Sequence, residues 1–164
     1  MSADIVPRRS GSDKLYWGPR LWRMFHLMAE ISDRRDVSAL WQNWIRATAD
    51  AMPCELCRTH LKQYIRSNSL NLITNPATIT GLQTRDRIRM NVFNLHNEVN
   101  KTIGKPVITM DQYTQLYGGL SRNEIVVAIR ALFLELQESW KHVSMIQWRN
   151  IYYVILSRVA SGPD

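Results

Sequence analysis

Residues 51–60 read Ala51-Met52-Pro53-Cys54-Glu55-Leu56-Cys57-Arg58-Thr59-His60 and contain both cysteines of a 164-residue chain. What lies on either side of this Cys-x-x-Cys decides the fold. Upstream, Leu40, Trp41, Trp44, Ile45 and Ala47 recur at helical spacing and stop before Pro53. Downstream, from Pro53 or Cys54, Leu56, Leu61, Tyr64 and Ile65 do the same. A thioredoxin-like fold would place a β-strand ahead of the pair, inside a βαβ unit. A helix before it and a helix after it argue against that arrangement.

The helical period continues outward in both directions. Gly18-Pro19 opens a helix, since proline suits the first helical position, and Leu21, Trp22, Phe25, Met28 and Ala29 carry it to Ile31. Ser32-Asp33-Arg34-Arg35-Asp36 reads as a loop. Ser67 to Thr84, rich in Asn, Thr and Ser with Pro76 and Gly81, reads as irregular. A further helix over Arg85 to Ile103 has Ile88, Val92, Leu95 and Val99 on one face and ends at Gly104-Lys105-Pro106. After a loop, Ser121-Arg122-Asn123-Glu124 is a capping box for a helix with Ile125, Ala128, Ile129, Leu132 and Leu136. A last helix over Trp140 to Val159 presents Ile151, Val154 and Ile155. No stretch alternates convincingly with period two and no internal repeat occurs, so the chain reads as all-α. It divides into a flexible segment over 1–14, a helical core over 15–118 and a C-terminal helical extension of the same domain over 119–164.

The formal charge of +7 permits an anionic partner. The basic residues are scattered, however, apart from small groups at Arg8-Arg9, Arg34-Arg35 and Arg85/Arg87/Arg89. No recognition motif accompanies them, so solvated faces and help for one phosphate-bearing ligand are expected, and nucleic acid is not. No apolar run approaches the roughly 20 residues of a membrane span. The opening MSADIVPRRSGSDK has no apolar stretch after its arginines, unlike a secretory signal. A cytoplasmic protein with no membrane partner is the expectation.

Cysteines three apart at a helix start are close enough to pair, and the positive end of the helix favours thiolate. Pro53 leaves the first cysteine outermost. That suits exchange chemistry, an exposed sulfur taking electrons from a substrate thiol and an inner one passing them on. The same spacing serves metals. Cys54, Cys57 and His60, with His96 or His26 as fourth ligand, make the alternative of a basic zinc-stabilised binding module.

Two further segments bear on that choice: Trp17-Gly18-Pro19-Arg20-Leu21-Trp22-Arg23-Met24-Phe25-His26, and His96-Asn97-Glu98-Val99-Asn100-Lys101-Thr102-Ile103-Gly104-Lys105-Pro106. In this order, with Pro-Cys-x-x-Cys between them, they resemble the Erv/ALR family of FAD-linked sulfhydryl oxidases. The resemblance is anchored over residues 17–106. It implies a helical bundle whose four-helix core binds FAD beside a Cys54–Cys57 redox disulfide, with Cys57 the sulfur nearer the flavin. It implies that Gly18, Trp22 and His26 line the flavin from one helix, and His96, Asn97, Val99 and Asn100 from another, with Ile103 and Lys105 beyond. Tyr117 stands where the family often has a tryptophan near the cofactor. Taken singly, Trp22 reads equally as a core residue, His26 and His96 as structural histidines and Lys105 as a helix-end charge.

The implied activity is thiol oxidation. Electrons pass from a dithiol protein, or from a thioredoxin-like carrier, through Cys54 and Cys57 to FAD, then to O₂ with formation of H₂O₂. The family's usual shuttle cysteines and structural disulfide are missing, with Met110 at one such position, so electrons reach Cys54 directly. This minimal cysteine set looks more like versions encoded by large DNA viruses, which implies host cytoplasm or the virion as the setting. Large apolar residues in the first and terminal helices, together with the resemblance, lead to an expected homodimer.

Overall fold

The computed structural model describes residues 14–67, 75–140 and 145–164. Among these residues there are seven helices and no strand. They are α1 (Lys14–Glu30), α2 (Ser38–Ala51), α3 (Glu55–Ser67), α4 (Gly81–Thr102), α5 (Met110–Tyr117), α6 (Arg122–Ser139) and α7 (Ile146–Ala160). The all-α expectation holds. The segment expected to be flexible lies outside the described residues up to residue 13, as do residues 68–74 of the expected irregular stretch.

α1 is the central helix. It packs against α6 on one flank and against α4 and α5 on the other. Residues Met24 to Ala29 are therefore buried without a break. A helix apolar all round belongs inside a core, and His26 sits in that run. α1 begins a turn before the Gly18-Pro19 signal because Trp17 is buried and meets Trp140 edge-on at 5.5 Å. Tertiary packing thus overrides the proline, which lies inside the helix and forgoes one backbone hydrogen bond.

α2 packs against α7, α3 and α4. Trp44 on α2 is the hub: Phe25 meets it at 4.8 Å and Trp41 at 5.3 Å, both edge-on. Buried indoles that find partners tie the layers together. Trp148 Nε1 donates to Thr48 Oγ1 (2.9 Å), and Trp41 Nε1 donates to Ser32 Oγ (2.8 Å). Phe133 of α6 stacks flat on Tyr152 of α7, centroids 3.8 Å apart. The buried face of α7 is Trp148, Tyr152, Ile155, Leu156 and Val159, which leaves Val154 exposed, against its expected place on the apolar face.

One arginine closes the end of the bundle. Arg122, at the start of α6, donates to the Ile31 and Val159 carbonyls (3.1 and 2.7 Å) and to Asp33 Oδ2 (2.5 Å). The Asp33 carbonyl in turn lies so close to Gly81 that a Cβ there would collide with it. α4 accordingly starts at Gly81, behind a Thr80–Gln83 capping box, a turn earlier than the Arg85 expectation. α5 stands where a loop is expected, opened by a second capping box, Thr109–Gln112. Trp140 caps the end of α6, so it does not begin α7. Among the described residues no helix is long and apolar enough to cross a membrane.

Candidate active site

Cys54 and Cys57 form a disulfide, Cα atoms 5.1 Å apart, at the entrance to α3. Cys54 immediately precedes the helix, and the Cys57 N–H donates to its Sγ at 3.1 Å. This is an N-cap, with sulfur in the place usually taken by a side-chain oxygen. Negative charge on Cys54 Sγ, when that sulfur is a thiolate, therefore meets both a backbone N–H and the positive end of the helix. Both cysteines are half-buried and pack against the core, while Glu55 and Leu56 between them are exposed. A protein substrate can thus approach the pair from outside.

The zinc alternative finds no support. The two sulfurs are bonded to each other, and among the described residues no three His, Cys, Asp or Glu side chains come together as a metal site. His60 is half-exposed on α3.

α3 packs on α4, and α4 packs on α1. Where α4 meets α1, the sequence candidates converge. His26 Nε2 and His96 Nδ1 are 2.9 Å apart, one donating to the other. Trp22, one turn before His26, stacks on His96 with centroids 4.2 Å apart and planes 8° from parallel. Tyr117 of α5 stacks on His26 at 4.7 Å. Burial disfavours charge on both histidines. His26, fully buried, is pushed down to about 3 by desolvation and then by its neighbour His96. His96 is pushed down to about 4 by desolvation and then by Lys105. At neutral pH the pair is uncharged. His26 Nδ1 is buried with no hydrogen-bond partner among the described residues.

The remaining candidates shape the end of α4. Asn97 pairs with the backbone of Ile108 in both directions, donating to its carbonyl (3.0 Å) and accepting from its N–H (2.8 Å). Asn100 is buried and donates to the Pro106 carbonyl at 3.3 Å. Gly104, with φ of 73°, turns the chain in a Schellman motif: its N–H bonds the Lys101 carbonyl and the Lys105 N–H bonds the Asn100 carbonyl. Both amides thus fold the 103–108 loop back onto α4, which leaves Ile103 and Lys105 exposed at its turn and Val99 half-buried against the core. Gly18 lies one turn before Trp22 on α1, with nothing within 4 Å of the place a Cβ would take.

Three neighbours of the histidine pair are not marked by the sequence motifs. Tyr113 meets His26 edge-on at 5.2 Å and lies tilted against Tyr117 at 5.2 Å. Its hydroxyl donates to Glu30 Oε1 at 2.5 Å, and Arg89 Nε lies 2.8 Å from the same oxygen. The available signal was the Thr109–Gln112 box followed by tyrosines four apart.

Comparison with known proteins bears on the same stretch. The family model of the Erv1/Alr family matches residues 19–118. An FAD-linked sulfhydryl oxidase of African swine fever virus is 30% identical over 106 residues, covering 63% of this chain and 81% of the viral protein. The enzyme of that name from a second isolate of the virus aligns over the same shares at 30% identity. A Frog virus 3 protein is 28% identical over 108 residues, 62% of this chain and 66% of its own length. No solved structure matches the chain. With a helical bundle that carries a Cys-x-x-Cys at the head of α3, and a family match over residues 19–118, the chain belongs to the Erv1/Alr family.

Proposed function

We infer that this chain is an FAD-linked thiol oxidase, which joins thiols of a substrate protein into disulfides. The observation that carries the reading is the disulfide at the head of α3, with the sulfur of Cys54 as the cap of that helix.

The cycle follows from this geometry. A substrate thiolate attacks Cys54 Sγ, the Cys54–Cys57 bond breaks, and Cys57 leaves as thiolate. A second substrate thiolate then attacks the substrate sulfur of the mixed disulfide and expels Cys54, so the substrate gains one disulfide and the pair holds two electrons. The Cys57 N–H aimed at Cys54 Sγ stabilises that leaving thiolate. Bound FAD supplies the two-electron acceptor for the reduced pair and the route to O₂, which becomes H₂O₂.

Two features fit that cofactor. His26 Nδ1 is a buried polar atom with no partner among the described residues, and the face of α1 at Gly18 is left open beside the Trp22 ring. We assign Gly18, Trp22, His26, Cys57, His96, Val99, Ile103, Lys105 and Tyr117 to its binding, Lys105 as the charge for the pyrophosphate. Asn97 and Asn100 contribute through the loop they fold. The electron donor is a dithiol protein or a thioredoxin-like carrier, and the setting is a host cytoplasm or virion, as the viral relatives suggest. A homodimer is supported by the apolar side chains left exposed on α6 and α7, among them Val127, Leu134, Ile146 and Tyr153. Light scattering that finds only monomer overturns it.

The test is the visible spectrum of the purified protein. A flavin band that bleaches under anaerobic dithiol and returns with air is expected. Cys54→Ser and Cys57→Ser should each keep the flavin and lose turnover. A colourless protein that takes up no added FAD, or turnover that survives in both variants, refutes the assignment.

A further inference from the structure

α5 has eight residues, too few to hold as a helix without tertiary support. Its substantial packing is against α1 alone. Two of its side chains are buried, Tyr113 and Tyr117, and both lie against His26. Tyr117 stacks on the imidazole and Tyr113 meets it edge-on. The helix is therefore the wall that seals His26 from the α5 side.

One polar device fixes this wall. The Tyr113 hydroxyl donates to Glu30 Oε1, four residues beyond His26 on α1. Arg89 of α4 brings its guanidinium to the same carboxylate oxygen at 2.8 Å, as a charge contact without the alignment of a hydrogen bond, and lies 5.6 Å from the centre of the Tyr113 ring. Glu30 is largely buried, and the cation facing it offsets part of the cost of taking a carboxylate out of water. Burial, and then the bond to Glu30, push the Tyr113 phenol up, so it stays a donor at any working pH. Glu30, Arg89 and Tyr113 thus join α1, α4 and α5, the three helices whose rings form the cluster around His26 and His96.

We propose that Glu30 and Tyr113, backed by Arg89, are positioning residues of the flavin site: their hydrogen bond seats α5 against the histidine pair and closes the site around the cofactor. The proposal rests on the thiol-oxidase reading for what the site holds. It rests on these contacts alone for what holds α5.

Two measurements on the 164-residue chain separate those dependencies. In flavin-free protein, hydrogen exchange of amides 110–117 is compared between wild type and Tyr113→Phe. The phenylalanine fills the same space without the hydroxyl. Exchange in α5 should quicken about tenfold while that of α1 and α6 is unchanged. FAD is then titrated into both proteins and followed by flavin fluorescence. Tyr113→Phe should bind about tenfold more weakly, and Glu30→Gln, which keeps an acceptor for the phenol, should retain most of the affinity. Equal exchange in α5, or equal FAD affinity, overturns the proposal. So does a Glu30→Gln loss as large as that of Tyr113→Phe. Wild-type protein that takes up no FAD refutes the oxidase reading, while the exchange comparison still decides whether this bond seats α5.

Discussion

A glycine in a helix interior costs about 1 kcal/mol relative to alanine, and α1 carries one at Gly18. Nothing in the fold requires it there. Its φ is not positive, and no atom lies within 4 Å of the place a Cβ would occupy. Gly81 differs, since a Cβ there would strike the Asp33 carbonyl. We propose that Gly18 serves a molecule that comes close to bare backbone, the flavin of the proposed site. Gly18→Ala should therefore separate stability from binding. Thermal unfolding of the flavin-free variant should rise, with a gain of about 0.5–1 kcal/mol, while FAD binds several-fold more weakly. A stabilised variant with undiminished FAD affinity would take Gly18 out of the site. At this scale the motifs single out residues that the fold brings together, but not the partners each one meets. His26, His96 and Trp22 stand out by motif, but that Trp22 lies flat on His96 depends on how α1 crosses α4. Asn97 and Asn100 look like ligand amides in the sequence, yet their partners are the Ile108 and Pro106 backbone, which only the returning loop supplies.

Between helices, the legible signals were apolar period and capping chemistry, and each missed boundary has its own cause. Ser121–Glu124 announces α6 because a long apolar period follows it. The identical signal at Thr109–Gln112 opens only eight residues, with two tyrosines to show a period, so α5 reads as loop. Thr80–Gln83 is masked in the same way by the polar residues around it, although it caps the 22-residue α4. At Gly18-Pro19 the local signal is sound in itself, but burial of Trp17 against Trp140 extends α1 past it. α5 is also where function and legibility part. It is the least marked helix, yet among the described residues it brings two aromatic rings onto His26, and the polar partner of its Tyr113 is Glu30 of α1, distant in sequence.

Across the whole molecule, the family match ends at residue 118, while the bundle does not. Every candidate site residue lies before α6, so a chain cut after Ser121 would keep all of them. It would lose what supports it. α6 runs along α1, the helix of Trp22 and His26, and α7 runs along α2, where Trp44 and Thr48 receive Trp148. Phe133, Trp140, Trp148, Tyr152 and Ile155 are nearly or fully buried in that shared core. At about 1.5–3 kcal/mol for each large apolar side chain, their removal costs about 8–15 kcal/mol, as much as the roughly 5–15 kcal/mol by which a domain is normally stable. Arg122, which holds the ends of α1 and α7 to Asp33, goes with them. We propose that residues 119–164 are part of the folding unit and not an appendage to a self-sufficient core. The chain truncated after Ser121 should show no cooperative melt by circular dichroism and take up no FAD, although it holds both cysteines. Should it melt cooperatively within a few degrees of the full chain and bind FAD, α1–α5 would be a domain in their own right. The exposed faces of α6 and α7 would then be the place to look for what the extension adds.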